Sequence, residues 1–312
     1  MKLSIIVVNY CTAELTINCI VSIAAERSCG ESLTVVLVDN ASPDDSAKVL
    51  ALAIEQNGWE SWVNFIPASR NGGFAYGNNL GIRFALNDPL PPEHLLLLNP
   101  DTLVRRGALS KLCRFMEEHP KAGIAGANIV GQEGLPLHCA HSFPSPLQQF
   151  VEGLRLGIVS RWLGTVSLSP GCLRNVECDW VSGACMLVRR QVFEQVGHMD
   201  DAFFLYYEEV DYCRRAKSAL WQVWYVADAI VVHFVGASTD VNSIEKRRPM
   251  YWYESRLRYF RKHHGRFGAV LADAACCLGV WGFRLRNIVT RHNNLTPQAF
   301  LRDIFRCRLG WK

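Results

Sequence analysis

The sequence predicts an α/β fold with a mostly parallel central sheet flanked by helices, followed by a helical C-terminal extension. Three observations carry this. Apolar, β-branched runs alternate with helically spaced segments through the first 120 residues, the pattern of βαβ units with right-handed crossovers. Three of those runs end in polar clusters, Asn9-Tyr10, Asp39-Asn40 and Asn99-Pro100-Asp101. In a parallel sheet such ends share one edge, where ligands bind. Finally, 49% of the 312 residues are hydrophobic and 20% are charged, enough to build a sizeable core and too apolar for global disorder.

The elements follow in order. Leu3–Val8 is a first strand, and Thr12–Ala25 is helical with Thr12 as its N-cap. Leu33–Val38 is a second strand. Ser42-Pro43-Asp44-Asp45 then carries the marks of a helix start: a serine cap, proline at the first helical position and acids in the first turn. That helix runs to about Gln56. Val63–Pro67 is a weaker third strand, Asn78–Leu86 a helix, Glu93–Leu98 a fourth strand and Ala108–His119 a helix. In LLLLNPDTLV, residues 95–104, the leucines suit a strand buried on both faces, and Pro100 ends it because proline cannot extend a central ladder.

Residues 131–175 break the alternation and read as a long connection beside a site. Order returns with a strand over Trp180–Val188, a helix over Arg190–Val196 and a strand over Trp224–Phe234. From about Ser243 aromatic and basic residues crowd together, and an apolar stretch interrupted by Asp273 follows. This tail suits an amphipathic, interfacial segment or a helical pair capping the core. No stretch offers 18 uncharged apolar residues, so no clear spanning helix is expected, and MKLSIIVVNY lacks the marks of a signal peptide. The net charge of +4 does not indicate nucleic acid. Twelve cysteines without a CxxC pair read as free thiols of a reducing, cytoplasmic compartment.

Chemistry-bearing residues gather in three further places. SRNGGFAYGNNLGI, residues 69–82, is glycine-rich and opens a helix at Asn78 and Asn79. Such a turn suits a diphosphate, and equally a glycine-rich hairpin. It is neither a P-loop nor a dinucleotide fingerprint. DDAFFLYYEEVDYCRRA, residues 200–216, crowds acids against aromatic side chains. A carboxylate beside apolar walls has a raised pKa, which suits a general base, whereas Asp211 with Arg215 at i+4 suits an ion-paired helix. His233 ends an apolar strand and, with Asp101, is a candidate ligand for a divalent metal.

Six segments in order, SIIVVNY, VVLVDNASPDDS, NGGFAYGNNLGI, LLLLNPDTLV, WVSGACMLVRRQVFEQVG and FFLYYEEVDYCRRA with the later His233, resemble the inverting glycosyltransferases of family 2 with the GT-A fold, and most of all the bacterial rhamnosyltransferase-like branch. The resemblance spans roughly residues 1–240, a GT-A domain, and leaves 241–312 as a basic-aromatic extension near the membrane. It implies donor contacts from Asn9 and Asp39, and a diphosphate loop at Asn71, Gly72 and Gly73. It makes Asn99-Pro100-Asp101 the metal segment, with Asn99 where an acid is usual and Asp101 as the main carboxylate on Mg²⁺ or Mn²⁺. It implies a sugar and acceptor pocket at Trp180, Ser182 and Gly183, Glu209 as base with Glu208 in reserve, and His233 as the later metal or diphosphate contact. The implied partners are a dTDP- or UDP-linked sugar donor, a lipid-linked or glycan acceptor and the cytosolic face of the inner membrane. The implied activity is transfer of a sugar such as rhamnose in cell-surface glycan synthesis. Two other classes share parts of this pattern, a nucleotidyltransferase that makes a nucleotide sugar and a non-catalytic nucleotide-sugar-binding subunit.

Overall fold

The computed structural model describes residues 2–27, 32–156, 171–234, 246–290 and 296–310. Described residues within Met1–His141, Leu168–Phe204 and Glu208–Ser238 form one compact unit. Those within Ser142–Ser167, Leu205–Tyr207 and Thr239–Lys312 form a second. The boundary expected at 240/241 lies outside the described residues.

The strands are β1 (Lys2–Asn9), β2 (Ser32–Asp39), β3 (Val63–Pro67), β4 (His94–Leu98), β5 (Thr102–Val104), β6 (Ala122–Val130), β7 (Ala140–His141), β8 (Val176–Cys178), β9 (Trp180–Val181), β10 (Cys185–Arg189) and β11 (Gln222–His233). The helices are α1 (Ala13–Glu26), α2 (Ser46–Gln56), α3 (Gly73–Leu86), α4 (Ala108–Glu118), α5 (Pro146–Leu154), α6 (Arg190–Val196), α7 (Glu208–Ser218), α8 (Met250–Thr290) and α9 (Phe300–Leu309).

In the first unit a nine-stranded sheet runs β3-β2-β1-β4-β10-β6-β11-β5, with β8 paired to β11. β1 to β4 are mutually parallel, and β6 and β11 point the same way, whereas β10, β5 and β8 run against them. The sheet is thus mostly parallel, and the run of four parallel strands ends at Asn9, Asp39, Pro67 and Leu98. β1 is buried on both faces, as its largely apolar sequence requires. Leu3, Ile5 and Val7 share one core with Cys19, Ile20 and Ile23 of α1, Leu50 and Ile54 of α2, and Leu112 and Met116 of α4. Ile6 and Val8 face α3. That helix approaches closely because Gly77 and Gly81 point at the strand: a Cβ on Gly77 would come within 2.6 Å of Val8, and one on Gly81 within 2.6 Å of Ile6.

Several boundaries differ from the sequence expectation. α3 begins at Gly73 rather than Asn78. α2 begins at Ser46, and Ser42 is no cap, because its hydroxyl donates to Asp39 instead. Thr12 stands at the N-cap of α1 without capping it; its hydroxyl donates to the Asn9 side chain. The segment 131–175 contains β7 and α5, and Ser145 accepts a hydrogen bond from the Gln148 amide, with Pro146 opening the helix. Residues 157–170 of that segment lie outside the described residues. The strand expected over Trp180–Val188 is two strands, β9 and β10, parted at Ser182–Ala184.

The second unit is helical. α5 lies against α8 where Gly153 meets Gly279: a Cβ on Gly279 would come within 2.3 Å of the Phe150 carbonyl. α8 is broken at Gly265, whose φ is 70° and ψ 179°. Tyr253, Cys276 and Val280 of α8 pack with Phe300 and Ile304 of α9. Asp273, buried in α8, is ion-paired with Arg256 and Arg308, and Arg256 also donates to Gln149 of α5. By length and composition alone α8 is apolar enough to cross a membrane, with a mean hydropathy of 1.4 over 18 residues.

Candidate active site

The parallel strand ends build one polar rim. Asn9 and Asp39 are register partners on β1 and β2. Asn9 donates to Asp39 at 2.7 Å and to Ser42 at 3.2 Å, and its carbonyl oxygen accepts from the Thr12 amide and from the Thr12 and Thr16 hydroxyls. Asp39 also accepts from the Ser42 amide and hydroxyl. Asn9 is fully buried with its amide engaged throughout, so it acts by fixing the Asp39 carboxylate.

One residue on, Asn40 reaches the glycine turn. Its amide donates to Asn71 and to the Gly73 carbonyl, both at 3.0 Å, and Asn71 in turn accepts from the Gly73 amide. The Phe74 amide donates to the Phe204 carbonyl at 2.8 Å. The turn is thereby tied to the loop that leads to α7. Gly73 has φ +85°, and a Cβ there would stand 1.9 Å from the Phe204 carbonyl oxygen. Gly73→Ala is therefore expected to destabilise the protein by roughly 3 kcal/mol or more, combining left-handed strain with overpacking. Thermal unfolding checks this, and an unchanged melting temperature would show that the turn can move away from Phe204.

The third strand end meets β11. β5 pairs antiparallel with β11 so that Thr102 faces His233, which puts the imidazole beside Asp101. His233 Nε2 lies 3.1 Å from Asp101 Oδ1 and 3.4 Å from Asn99 Nδ2. Asp101 is only 3% exposed. Among the described residues no cluster of three or more His, Cys, Asp or Glu side chains is placed to hold a metal ion. The Asp101–His233 contact is a direct hydrogen bond, and its length is also about the 3 Å that separates two ligands at right angles on an ion about 2.1 Å away. Such an ion needs only one or two protein carboxylates when phosphates and water complete its shell.

β10 brings in the pocket residues. The Asn99 amide donates to the Ala184 carbonyl, and the Ser182 hydroxyl accepts from the Ala184 amide at 3.3 Å. A Cβ on Gly183 would touch Glu209 and Phe74, both at 3.5 Å. Gly183 thus lies beside the residue that bonds Asn99, and next to the glycine turn and Glu209. Trp180 stands on β9, stacked on His141 with ring centroids 4.2 Å apart.

Glu208 and Glu209 open α7, where the helix N-terminus favours negative charge. They follow Tyr206 and Tyr207, which have φ of 70° and 69°. Two consecutive non-glycine residues in that region are costly, and such strain collects at functional sites. Glu208 is buried, and its Oε2 has no hydrogen-bond partner among the described residues. Burial, and then the neighbouring Glu209 charge, pushes its carboxyl well above the usual range. Glu209 is half-buried beside Gly183. Asp211 pairs with Arg215 at 2.9 Å, so the ion-paired helix and the candidate base occupy the same element.

The site therefore gathers Asp39, Asn71, Gly72, Gly73, Asn99, Asp101, His233, Ser182, Gly183 and Glu209 on connected strand ends and loops. Asn40, Ser42 and Phe204 were missed as site-forming residues. Asn40 and Ser42 stood within the polar strand end, but Ser42 beside Pro43 pointed to a helix cap.

Known proteins resemble this chain at several levels. The model described as "Glycosyl transferase family 2" matches residues 4–197, and a second, "Glycosyltransferase like family 2", matches residues 161–252. A low-salt glycan biosynthesis hexosyltransferase of Haloferax volcanii is 31% identical over 218 residues, 69% of this chain and 61% of its own length. The N-acetylglucosaminyl-diphospho-decaprenol L-rhamnosyltransferase of Mycobacterium tuberculosis is 28% identical over 70% of each chain. Among solved structures, a mannosyltransferase from Pyrobaculum calidifontis in complex with GDP-Man and Mn²⁺ aligns over 100% of this chain and 88% of its own, with a TM-score of 0.65 at 14% identity. GalNAc-T7 with UDP, GalNAc and Mn²⁺ aligns over 94% of this chain and 58% of its own, with a TM-score of 0.58 at 11% identity. The fold is GT-A.

Proposed function

The chain belongs to glycosyl transferase family 2, and from that premise we propose that it moves a sugar such as rhamnose from a dTDP- or UDP-linked donor to a hydroxyl of a lipid-linked or polysaccharide acceptor, with inversion at the anomeric carbon. The setting is cell-surface glycan synthesis on the cytoplasmic side of the membrane. Residues 1–240 supply the transferase domain in this reading, and 241–312 the membrane-proximal extension. The observation that carries it is the convergence of two groups on one rim: the Asp101–His233 pair, and Glu209 beside Gly183. The names of relatives that act in glycan synthesis and on a polyprenol-linked sugar support the substrate class.

Each residue then has a task. Asp39, fixed by Asn9 and Ser42, faces the nucleoside, while the Asn71-Gly72-Gly73 turn, locked by Asn40, lies along the diphosphate. Asp101 and His233 would hold Mg²⁺ or Mn²⁺, with Asn99 as a neutral neighbour; the bound cation neutralises charge on the leaving diphosphate. Ser182 and Gly183 border the sugar and acceptor, with Trp180 further out. Glu209 takes the proton of the acceptor hydroxyl. The acceptor oxygen forms its bond to the anomeric carbon as the bond to diphosphate breaks on the opposite face. One base suffices, because the departing diphosphate needs no proton.

A donor panel read by thermal unfolding tests this, because a ligand that binds only the folded state raises the melting temperature. dTDP-rhamnose, UDP-sugars and GDP-mannose are compared with Mn²⁺ and with a chelator. A rise with a dTDP- or UDP-sugar that depends on Mn²⁺ is expected. A rise with GDP-mannose alone would overturn the nucleoside assignment, and no rise with any donor would remove the whole reading.

A further inference from the structure

We propose that the exposed apolar face of α8 is a docking surface that lies flat on an anionic lipid bilayer. The inference deepens the lipid-linked acceptor reading above and rests on it. Phe267, Leu271, Leu278, Trp281, Leu285 and Ile288 recur at steps of three, four and, across the exposed Ala274, seven residues, so they share one helix face. They are 79%, 48%, 66%, 62%, 59% and 74% exposed, respectively. The stripe is about 33 Å long at the rise of an α-helix. Surfaces of soluble proteins rarely leave so continuous an apolar strip uncovered.

Charge identifies the occupant. Arg266 stands at one end of the stripe and Arg284 and Arg286 at the other. Among the described residues from 266 to 310 the acids are Asp273 and Asp303. Both are buried and ion-paired, Asp273 with Arg256 and Arg308, and Asp303 with Arg247. Neither acid is left to offset the arginines at the two ends of the stripe. A second copy of α8 laid antiparallel on the first would bring Arg266 to Arg284 and Arg286, like charge against like, and a parallel pairing would do the same at each end. A bilayer with acidic headgroups instead offers hydrocarbon to the stripe and negative charge to its ends. Trp281 suits the boundary between the two.

The helix lies in the plane and does not cross it. Its opposite face is already used: Ala269, Ala272, Cys276, Val280 and Phe283 are buried. Asp273, midway along that face, holds the arginines of two helices. Taking this side into hydrocarbon would expose a charged network to lipid.

Flotation of the full chain with vesicles tests the proposal. Vesicles of phosphatidylcholine alone are compared with vesicles containing phosphatidylglycerol. The wild type is expected to bind the anionic vesicles at least tenfold more tightly, and the advantage should shrink with added salt. Leu278→Asp with Trp281→Asp should lower that binding at least tenfold while leaving the melting temperature and the donor-induced shift unchanged. Replacing Arg266 by Glu should weaken it severalfold. Binding indifferent to lipid charge, or unaffected by the double substitution, would overturn the proposal. So would association into dimers that the double substitution abolishes without any vesicle binding, or resistance to alkaline extraction from membranes. Because donor binding is measured on the same samples, loss of vesicle binding with a normal donor shift counts against this surface alone. Loss of the donor shift counts against the transferase reading.

Discussion

Glu209→Gln is expected to lower sugar transfer by about 10²- to 10⁴-fold, the usual contribution of a general base, while the donor still binds. The amide keeps the shape of the side chain beside Gly183, so the donor-induced rise in melting temperature should survive. Glu208→Gln is the control. Its carboxyl is buried and pushed toward the protonated form by burial and by Glu209. Two adjacent carboxyls do not ionise together easily, and the more buried one takes the proton. Replacing Glu208 by a neutral amide should therefore leave turnover largely intact. If Glu208→Gln abolished transfer and Glu209→Gln did not, the roles would be exchanged.

Asp101→Asn is expected to lower Mn²⁺-dependent turnover on the order of 10³-fold, since charge stabilisation by a bound cation supplies several kcal/mol. It should also remove the Mn²⁺-dependent part of the donor shift. Asp101 is the acid of its strand end, and Asn99, which stands where family members usually place a second one, carries no charge. His233 Nε2 is paired with Asp101 at 3.1 Å. His233→Ala should weaken donor binding as well, in the same metal-dependent manner. Titrating Mn²⁺ against donor binding checks both variants. Unchanged metal dependence in Asp101→Asn would show that the cation is held elsewhere or is not needed.

The legible part of the fold was the part with strong periodicity. β1, β2 and β4 are largely apolar runs, and Val63–Pro67 and Arg190–Val196 fell where the pattern put them. Terminal polar residues of the parallel strands then located the rim. What escaped had a competing physical cause. Ser42-Pro43 and Ser145-Pro146 carry the same helix-start signal, yet only Ser145 caps a helix. Ser42 is claimed by Asp39, three residues earlier, and the helix starts later. The glycines of residues 72–81 read as turn formers, although Gly77 and Gly81 serve close packing of α3 on β1. That spacing of four was visible, but its partner strand was not. β6 was missed because its alanines and glycines dilute the strand signal; its burial comes from β10 and β11 on either side.

The site was legible as a set of residues and not as a set of contacts. Asp101 and His233 are 132 positions apart, and only the antiparallel β5–β11 register brings them together. The tie between Phe74 and Phe204 has no local signature either, since it is a backbone hydrogen bond between two loops.

The most direct test of the central claim is the anomeric configuration of the product. The protein is incubated with the nucleotide sugar that raises its melting temperature, Mn²⁺ and a polyprenol-diphosphate-linked N-acetylglucosamine acceptor, and the new linkage is read by its one-bond carbon–proton coupling in NMR. A new glycosidic bond with configuration opposite to that of the donor, formed by the wild type and not by Glu209→Gln, is the expected result. A product with retained configuration would contradict a single displacement driven by Glu209.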